Sequence, residues 1–255
     1  MPCRFQLASS RRLARRRFLR LAALPLYAAL GETARTGARP LVSGGRKRTV
    51  HWVIPAALSE ASRAPLVVVL HGSWQGGKKL AELWEPLANQ EGFIVAGPDA
   101  GSPDAWRGAA DPPELFRDVV EAAAAQRPID PHRVFLFGYS GGGHYALQIA
   151  LAESEYFAAV AVCAGQLLRD QGRFLALAKR RIPVALFAGA KDTVVPPEDV
   201  RRTEQMLKAG GFPVEFTQMP DRDHAYTSPA RLHRQVWTFF QRHHLPSAPI
   251  FVEYR

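Results

Sequence analysis

From about Pro65 onward, short apolar runs rich in Val, Phe and Ala alternate with longer stretches of helical period, and this alternation narrows the choice of fold more than any other feature. The runs are PLVVVLHG, FIVAGPDA, RVFLFGYS, AAVAVCAG, PVALFAGAKD and PVEFTQMP; the amphipathic stretches include residues 79–90, 113–126 and 198–210. A continuous apolar run suits a strand buried on both faces, and the stretches between are long enough to cross over between parallel strands. The pattern predicts an α/β fold with a mostly parallel central sheet and helices on both faces. An earlier run, RTVHWVIP, is expected to add an edge strand, and residues 231–243 a closing helix. With 255 residues and 47% hydrophobic composition, the chain can bury one core of ordinary size. The interval between the strand ending near Ala164 and the one starting near Pro183 is too short for a large lid domain.

Charge has to be read by region. A formal net charge of +10 suggests an acidic partner. Seven of the 33 basic residues, Arg4, Arg11, Arg12, Arg15, Arg16, Arg17 and Arg20, share residues 1–31 with no acid. The other 26 face 23 acids, so the remainder is near balance and no nucleic-acid partner is expected. The arginines lead into LAALPLYAAL, well short of the roughly 20 apolar residues a spanning helix needs, so no stable membrane insertion is expected. Basic residues, a short apolar stretch and then small residues are the layout of an export signal. The order Arg15-Arg16-Arg17-Phe18-Leu19-Arg20 resembles the twin-arginine signal, with Ala14 where that pattern has Ser or Thr. Cleavage is expected after Ala29-Leu30-Gly31, with Ala34 and Ala38 as alternatives. A basic tail that binds phosphate groups would carry the same charge. Cys3 would leave with the signal and Cys163 sits in the apolar run AAVAVCAG, so no disulfide is expected in the mature monomer.

The stretch FLFGYSGGGHYAL, between an apolar run and a helical stretch, sets one serine among four glycines. A phosphate loop needs a lysine after its last glycine, and a dinucleotide fingerprint opens the first βα unit of its sheet; neither fits here. Gly138-Tyr139-Ser140-Gly141-Gly142 matches G-x-S-x-G, a turn so tight that the residues two before and two after the serine must be small. A serine nucleophile needs a base, an acid to orient that base, and donors for the oxyanion. Asp192, in GAKDTVVP, follows a strand 52 positions after Ser140; His224, in DRDHAYT, follows the next strand 32 positions later. The order Ser140, Asp192, His224 makes these the candidate nucleophile, acid and base. Asp223, beside His224, is a competing acid, but adjacent side chains in an extended turn point apart.

LHGSWQ, DPHRVFLFGYSGGG, GAKDTVVP and DRDHAY together resemble the α/β-hydrolase superfamily over about Pro65 to Leu245. Within it the chain is similar to small secreted esterases of the polyhydroxybutyrate-depolymerase and feruloyl-esterase type, with the carboxylesterase/phospholipase and dienelactone-hydrolase groups close by. Depolymerase-like members commonly have cysteine where this chain has Ser73. The resemblance implies a cofactor-free carboxylic-ester hydrolase with a Ser-Asp-His triad, acting on a small-molecule or polymer-derived ester. An acyltransferase, a peptidase or a non-catalytic binding protein would use the same fold.

Two backbone amides, of Gly141 at the start of the helix and of Ser73 after His71-Gly72, are the expected oxyanion donors. Trp74 and Trp106 are expected at the rim of the site, Tyr139 in the substrate-binding pocket beside the nucleophile, and His144, four residues after Ser140, on the pocket floor or packed in the core. His51, His132, His233 and the pair His243-His244 lack metal-ligand spacing and read as surface residues; no metal is expected. The resulting division is a signal over 1–31, an N-terminal segment over 32–64, a catalytic domain over 65–245 and a tail over 246–255.

Overall fold

The computed structural model describes residues 35–59, 61–168 and 172–254; the expected export signal lies outside them. Eight strands form one sheet: β1 (Arg35–Ser43), β2 (Arg46–Ile54), β3 (Ala64–Leu70), β4 (Ile94–Pro98), β5 (Ile129–Tyr139), β6 (Ala159–Cys163), β7 (Val184–Gly189) and β8 (Val214–Met219). Their spatial order is β1-β2-β4-β3-β5-β6-β7-β8. β2 runs antiparallel to both its neighbours, and every other pairing is parallel.

The apolar runs became the central strands for a simple reason. Every residue of β3, β4, β6 and β7 is buried, which only a strand covered on both faces can achieve. Along β3, Leu66, Val68 and Leu70 enter one core while Val67 and Val69 enter the other, as the two-residue period of a strand requires. Each such side chain contributes about 1.5–3 kcal/mol on burial. On the first face lie α2 (Pro113–Ala124), α3 (Gly141–Ala152), the short α4 (Arg173–Leu177) and α5 (Pro197–Ala209); on the second lie α1 (Gly77–Glu91) and α6 (Ala230–Gln241). This is the α/β-hydrolase arrangement. Among the described residues, the segment between β6 and β7 holds only the five-residue α4, and no large lid covers the sheet end.

One expectation is corrected. RTVHWVIP forms β2, which is not an edge strand, because β1 pairs with it along its whole length. The hairpin turns at Gly44-Gly45, both at positive φ (54° and 73°), the backbone that a two-residue loop between twisted strands demands. The far end of the chain is also more engaged than a tail. Ile250 N–H donates to Glu155 O (3.0 Å), Val252 N–H to Glu153 Oε2 (2.9 Å), and Phe251 packs against the first core.

Because parallel strands share a direction, their carboxyl ends gather at one edge of the domain. His71-Gly72-Ser73 follows β3, Ser140 follows β5, Asp192 follows β7 and His224 follows β8.

Candidate active site

Ser140 sits at φ 51°, ψ −120°, a conformation that costs a non-glycine residue about 1–3 kcal/mol. The surroundings hold it there. Its N–H donates to Cys163 O (2.9 Å) and its carbonyl accepts from His144 N–H (3.0 Å). The flanking glycines answer to closeness of approach. A Cβ at Gly138 would lie 2.4 Å from Gly142 O, and one at Gly142 would lie 2.1 Å from Leu70 O, so a side chain at either position would force β5, α3 and β3 apart.

The structure brings the three candidate side chains into one hydrogen-bonded line. Ser140 Oγ lies 2.9 Å from His224 Nε2, and His224 Nδ1 lies 2.9 Å from Asp192 Oδ2 and 3.1 Å from Oδ1. Since a carboxylate only accepts, Nδ1 carries the ring proton and Nε2 is left to accept from the serine hydroxyl. The Asp192 side chain is fully buried, and its Oδ1 also accepts from Val194 N–H (2.9 Å) and Val195 N–H (2.8 Å). Those bonds fix its angle to the imidazole. Asp223 is exposed and accepts from Ala225 N–H (2.9 Å), capping its own turn.

The loop of Ser73 also comes up against Gly141. A Cβ on Gly141 would fall 3.3 Å from Ser73 N, and Gly141 N–H, in the first turn of α3, has no partner within the helix. The loop bearing Ser73 is pinned from several directions. His71 Nδ1–H donates to Gly72 O (2.8 Å), Ala100 N–H donates to His71 Nε2 (3.1 Å), and Trp74 N–H donates to Pro103 O (2.7 Å). Burial, against the pull of the Gly72 carbonyl and nearby acids, holds the His71 imidazole below its usual range, in keeping with a neutral ring that accepts at Nε2.

Two expected pocket residues are placed differently. Trp106 is only 7% exposed, beneath the loop and not at its rim, and its Nε1–H donates to His71 O (2.9 Å). Tyr139 is 4% exposed, and its hydroxyl donates to the backbone carbonyl of His224. Burial first, then nearby Cys163, Asp192 and Asp223, push that hydroxyl up to about 12, so it stays a donor. Trp74, in contrast, stands 76% exposed beside Ser73. His144 is half-buried on α3, its Nδ1 against the Gln166 backbone.

Among the remaining histidines, His233 corrects the expectation of a surface residue: it is 1% exposed, stacked on Trp84 at 4.0 Å and 2.7 Å from Tyr226 Oη. Tyr226 in turn packs on Tyr139 at 4.6 Å, so the support of the His224 loop runs into the second core. Asp111 was not singled out from the sequence. Fully buried, it accepts from Gly101 N–H (2.6 Å) and Arg107 N–H (3.0 Å), 3.6 Å from the Arg48 guanidinium, and so shapes the loop that carries Trp106. Its place in Asp111-Pro112-Pro113 reads as an ordinary helix start, which hides the role. Among the described residues, no group of three His, Cys, Asp or Glu converges as a metal site.

A bifunctional acetylxylan esterase/xylanase of Neocallimastix patriciarum is 29% identical over 161 residues, which span 61% of this chain and 23% of that protein. NocK of Nocardia uniformis subsp. tsuyamanensis is 31% identical over 153 residues, 52% of this chain and 42% of that one. The chain thus spans less than half the length of these relatives. A ferulic acid esterase of Anaeromyces mucronatus superposes with a TM-score of 0.66 at 16% identity, covering 83% of this chain and 91% of that structure, a likeness of fold. The profile of the Dienelactone hydrolase family matches residues 54–237, and the chain belongs to that family.

Proposed function

We propose that the protein is a carboxylic-ester hydrolase that works through an acyl-enzyme on Ser140. The observation that carries this reading is the unbroken line from Ser140 Oγ through His224 to the buried Asp192, with Ser73 close against Gly141, the residue after the nucleophile. In the first half-reaction Oγ attacks the ester carbonyl while its proton passes to His224 Nε2. The tetrahedral oxyanion is held by the amides of Ser73 and Gly141, each of which is worth about 10²–10³ in turnover in sites of this kind. The bond to the leaving oxygen breaks as His224 protonates it, and the alcohol departs. Water, deprotonated by the same nitrogen, then cleaves the acyl-serine and regenerates the hydroxyl.

The names of the relatives, acetylxylan and ferulic acid esterases, favour short or aromatic acyl groups on a polymer-borne alcohol. The exposed ring of Trp74 offers an aromatic or aliphatic acyl group a surface next to the oxyanion donors. The basic and apolar pattern of residues 1–31 supports export by the twin-arginine route. The test combines fluorophosphonate labelling with a panel of p-nitrophenyl esters of graded chain length and a feruloyl ester. Labelling abolished in Ser140→Ala, with hydrolysis best on short acyl or feruloyl esters, is the expected outcome. Labelling that survives that substitution excludes Ser140 as nucleophile.

A further inference from the structure

His224 stands in the loop of residues 220–229, between the end of β8 and the start of α6. A loop has many conformations, yet a base must stay within hydrogen-bond reach of both its nucleophile and its acid. Packing from below does not set the height of this one. Residues 222–227 cover a cavity of about 20 Å³ whose other walls include Cys163, Met219 and Leu232. Arg222 closes the loop from within. Its guanidinium donates through Nη1 to Thr227 O and through Nη2 to Ser228 O (2.7 Å), joining the limb before His224 to the limb after it. One planar fork on two successive carbonyls fixes both the distance and the angle between the limbs. The second carbonyl belongs to Ser228, whose φ of 46° is a backbone that a non-glycine residue keeps only where its neighbours hold it.

The backbone of the same residue docks the loop beside the acid. Lys191 N–H, next to Asp192, donates to Arg222 O (2.9 Å), and Arg222 N–H donates to Met219 O (3.3 Å). A Cβ on Gly189, the last residue of β7, would lie 2.5 Å from Arg222 O and 2.9 Å from Asp223 O, so the loop reaches β7 only because that position is glycine. The main chain of Arg222 thus sets where the loop meets the Asp192 turn, and its side chain sets the shape of the loop from there to α6. Its charge brings no gain, since a cation two residues from His224 opposes the imidazolium that forms during attack.

We propose that Arg222 is a positioning residue: its fork to Thr227 and Ser228 keeps the His224 imidazole in line between Asp192 and Ser140. This rests on the ester-hydrolase reading above. Arg222 acts through the loop and not on the substrate, so its loss slows turnover and leaves substrate affinity alone.

kcat and KM for a p-nitrophenyl ester are measured on wild type, Arg222→Ala and Arg222→Lys, with kcat expressed per serine that a fluorophosphonate labels at completion. Counting sites in this way removes any loss of folded enzyme from the comparison. Misplacing a catalytic group by about 1 Å costs on the order of 10²-fold, so kcat per site should fall about tenfold to a hundredfold in Arg222→Ala, with KM within about twofold of wild type. Arg222→Lys should lie between, because one ammonium lacks the fixed fork that meets both carbonyls. Guanidinium chloride, far below unfolding concentrations, should restore part of the turnover of Arg222→Ala, whereas sodium chloride at equal ionic strength should not. A kcat per site within about twofold of wild type in Arg222→Ala, a loss carried by KM, or a loss that guanidinium repairs no better than sodium, overturns the positioning role and leaves Ser140 as nucleophile. A wild type that hydrolyses no ester and leaves Ser140 unlabelled overturns the hydrolase reading and the positioning role with it.

Discussion

The Tyr139 hydroxyl donates its hydrogen bond to the backbone carbonyl of His224, so the residue before the candidate nucleophile holds the loop that presents the candidate base. The elbow and the histidine come from strands three places apart in the sheet, yet this bond ties them directly. Tyr139 also packs its ring on Tyr226 at 4.6 Å and on His224 at 5.5 Å.

Tyr139→Phe keeps the ring and removes the bond. Stability should fall by about 1 kcal/mol, the usual net worth of one hydrogen bond. Looser placement of His224 should lower kcat for a p-nitrophenyl ester by about tenfold with KM little changed. Melting temperature and steady-state kinetics on the same preparation check both. A full kcat in a destabilised variant would confine the hydroxyl to structure.

The two acids near His224 are separable by substitution. Asp192 contacts Nδ1 with both oxygens, whereas Asp223 caps Ala225 N–H at the surface. Exchanging an orienting carboxylate for its amide costs about 10⁴ in turnover through the wrong histidine tautomer. Asp192→Asn should thus be folded and nearly inactive, and Asp223→Asn should lose about tenfold or less. Reversed results would reassign the acid and leave Asp192 as a turn cap for Val194 and Val195.

Trp106 offers a test of the proposed oxyanion loop. Its Nε1–H is the donor to the His71 carbonyl, while its ring packs near Phe116 and Tyr145. Trp106→Phe keeps most of that packing and leaves a buried carbonyl unpaired, at a cost of about 1–3 kcal/mol. Drift of the Ser73 amide should appear in kcat, by about tenfold, more than in KM, because the oxyanion exists only in the transition state. Equal effects on both constants would mean that the loop shapes substrate binding instead.

What the sequence displayed and what it hid follow from how local each signal is. The central strands were legible because a strand buried on both faces must be apolar throughout, and Ser140 because the elbow needs small residues at fixed offsets. Asp192 and His224 followed from chain order at strand ends. β1 was not legible: its residues 36–40 and Val42, at 65%, are exposed, and it is held by backbone pairing with β2, leaving Gly44-Gly45 as the local mark. Trp106 acts on His71, Asp111 lies beside Arg48 and His233 stacks on Trp84, all distant in sequence, so a tryptophan in a loop, an aspartate before two prolines and a histidine on a helix looked ordinary. Their roles exist only once the sheet has brought those neighbours together.

Two buried groups contribute to the pH dependence of stability with opposite signs. Burial lowers His233 from 6.5 to about 3, so the unfolded chain takes up a proton that the folded one refuses. Its contribution is complete above pH 6.5 and is lost as pH falls from there toward 3. Glu153, fully buried at the end of α3, goes the other way. Burial raises it from 4.5 to about 7, against the hydrogen bonds it accepts from Tyr254 and Val252. The folded state keeps a proton that the unfolded state has released, so this contribution is complete below pH 4.5 and is lost as pH rises toward 7, at a cost on the order of 3 kcal/mol. Glu153→Gln imitates the protonated carboxyl at every pH. In urea unfolding it should match wild type near pH 4.5 and exceed it by a few kcal/mol at pH 8.5, with the carboxyl-terminal segment better held. A wild type as stable as the variant at pH 8.5 would mean that Tyr254 and Val252 offset the burial of the charge in full.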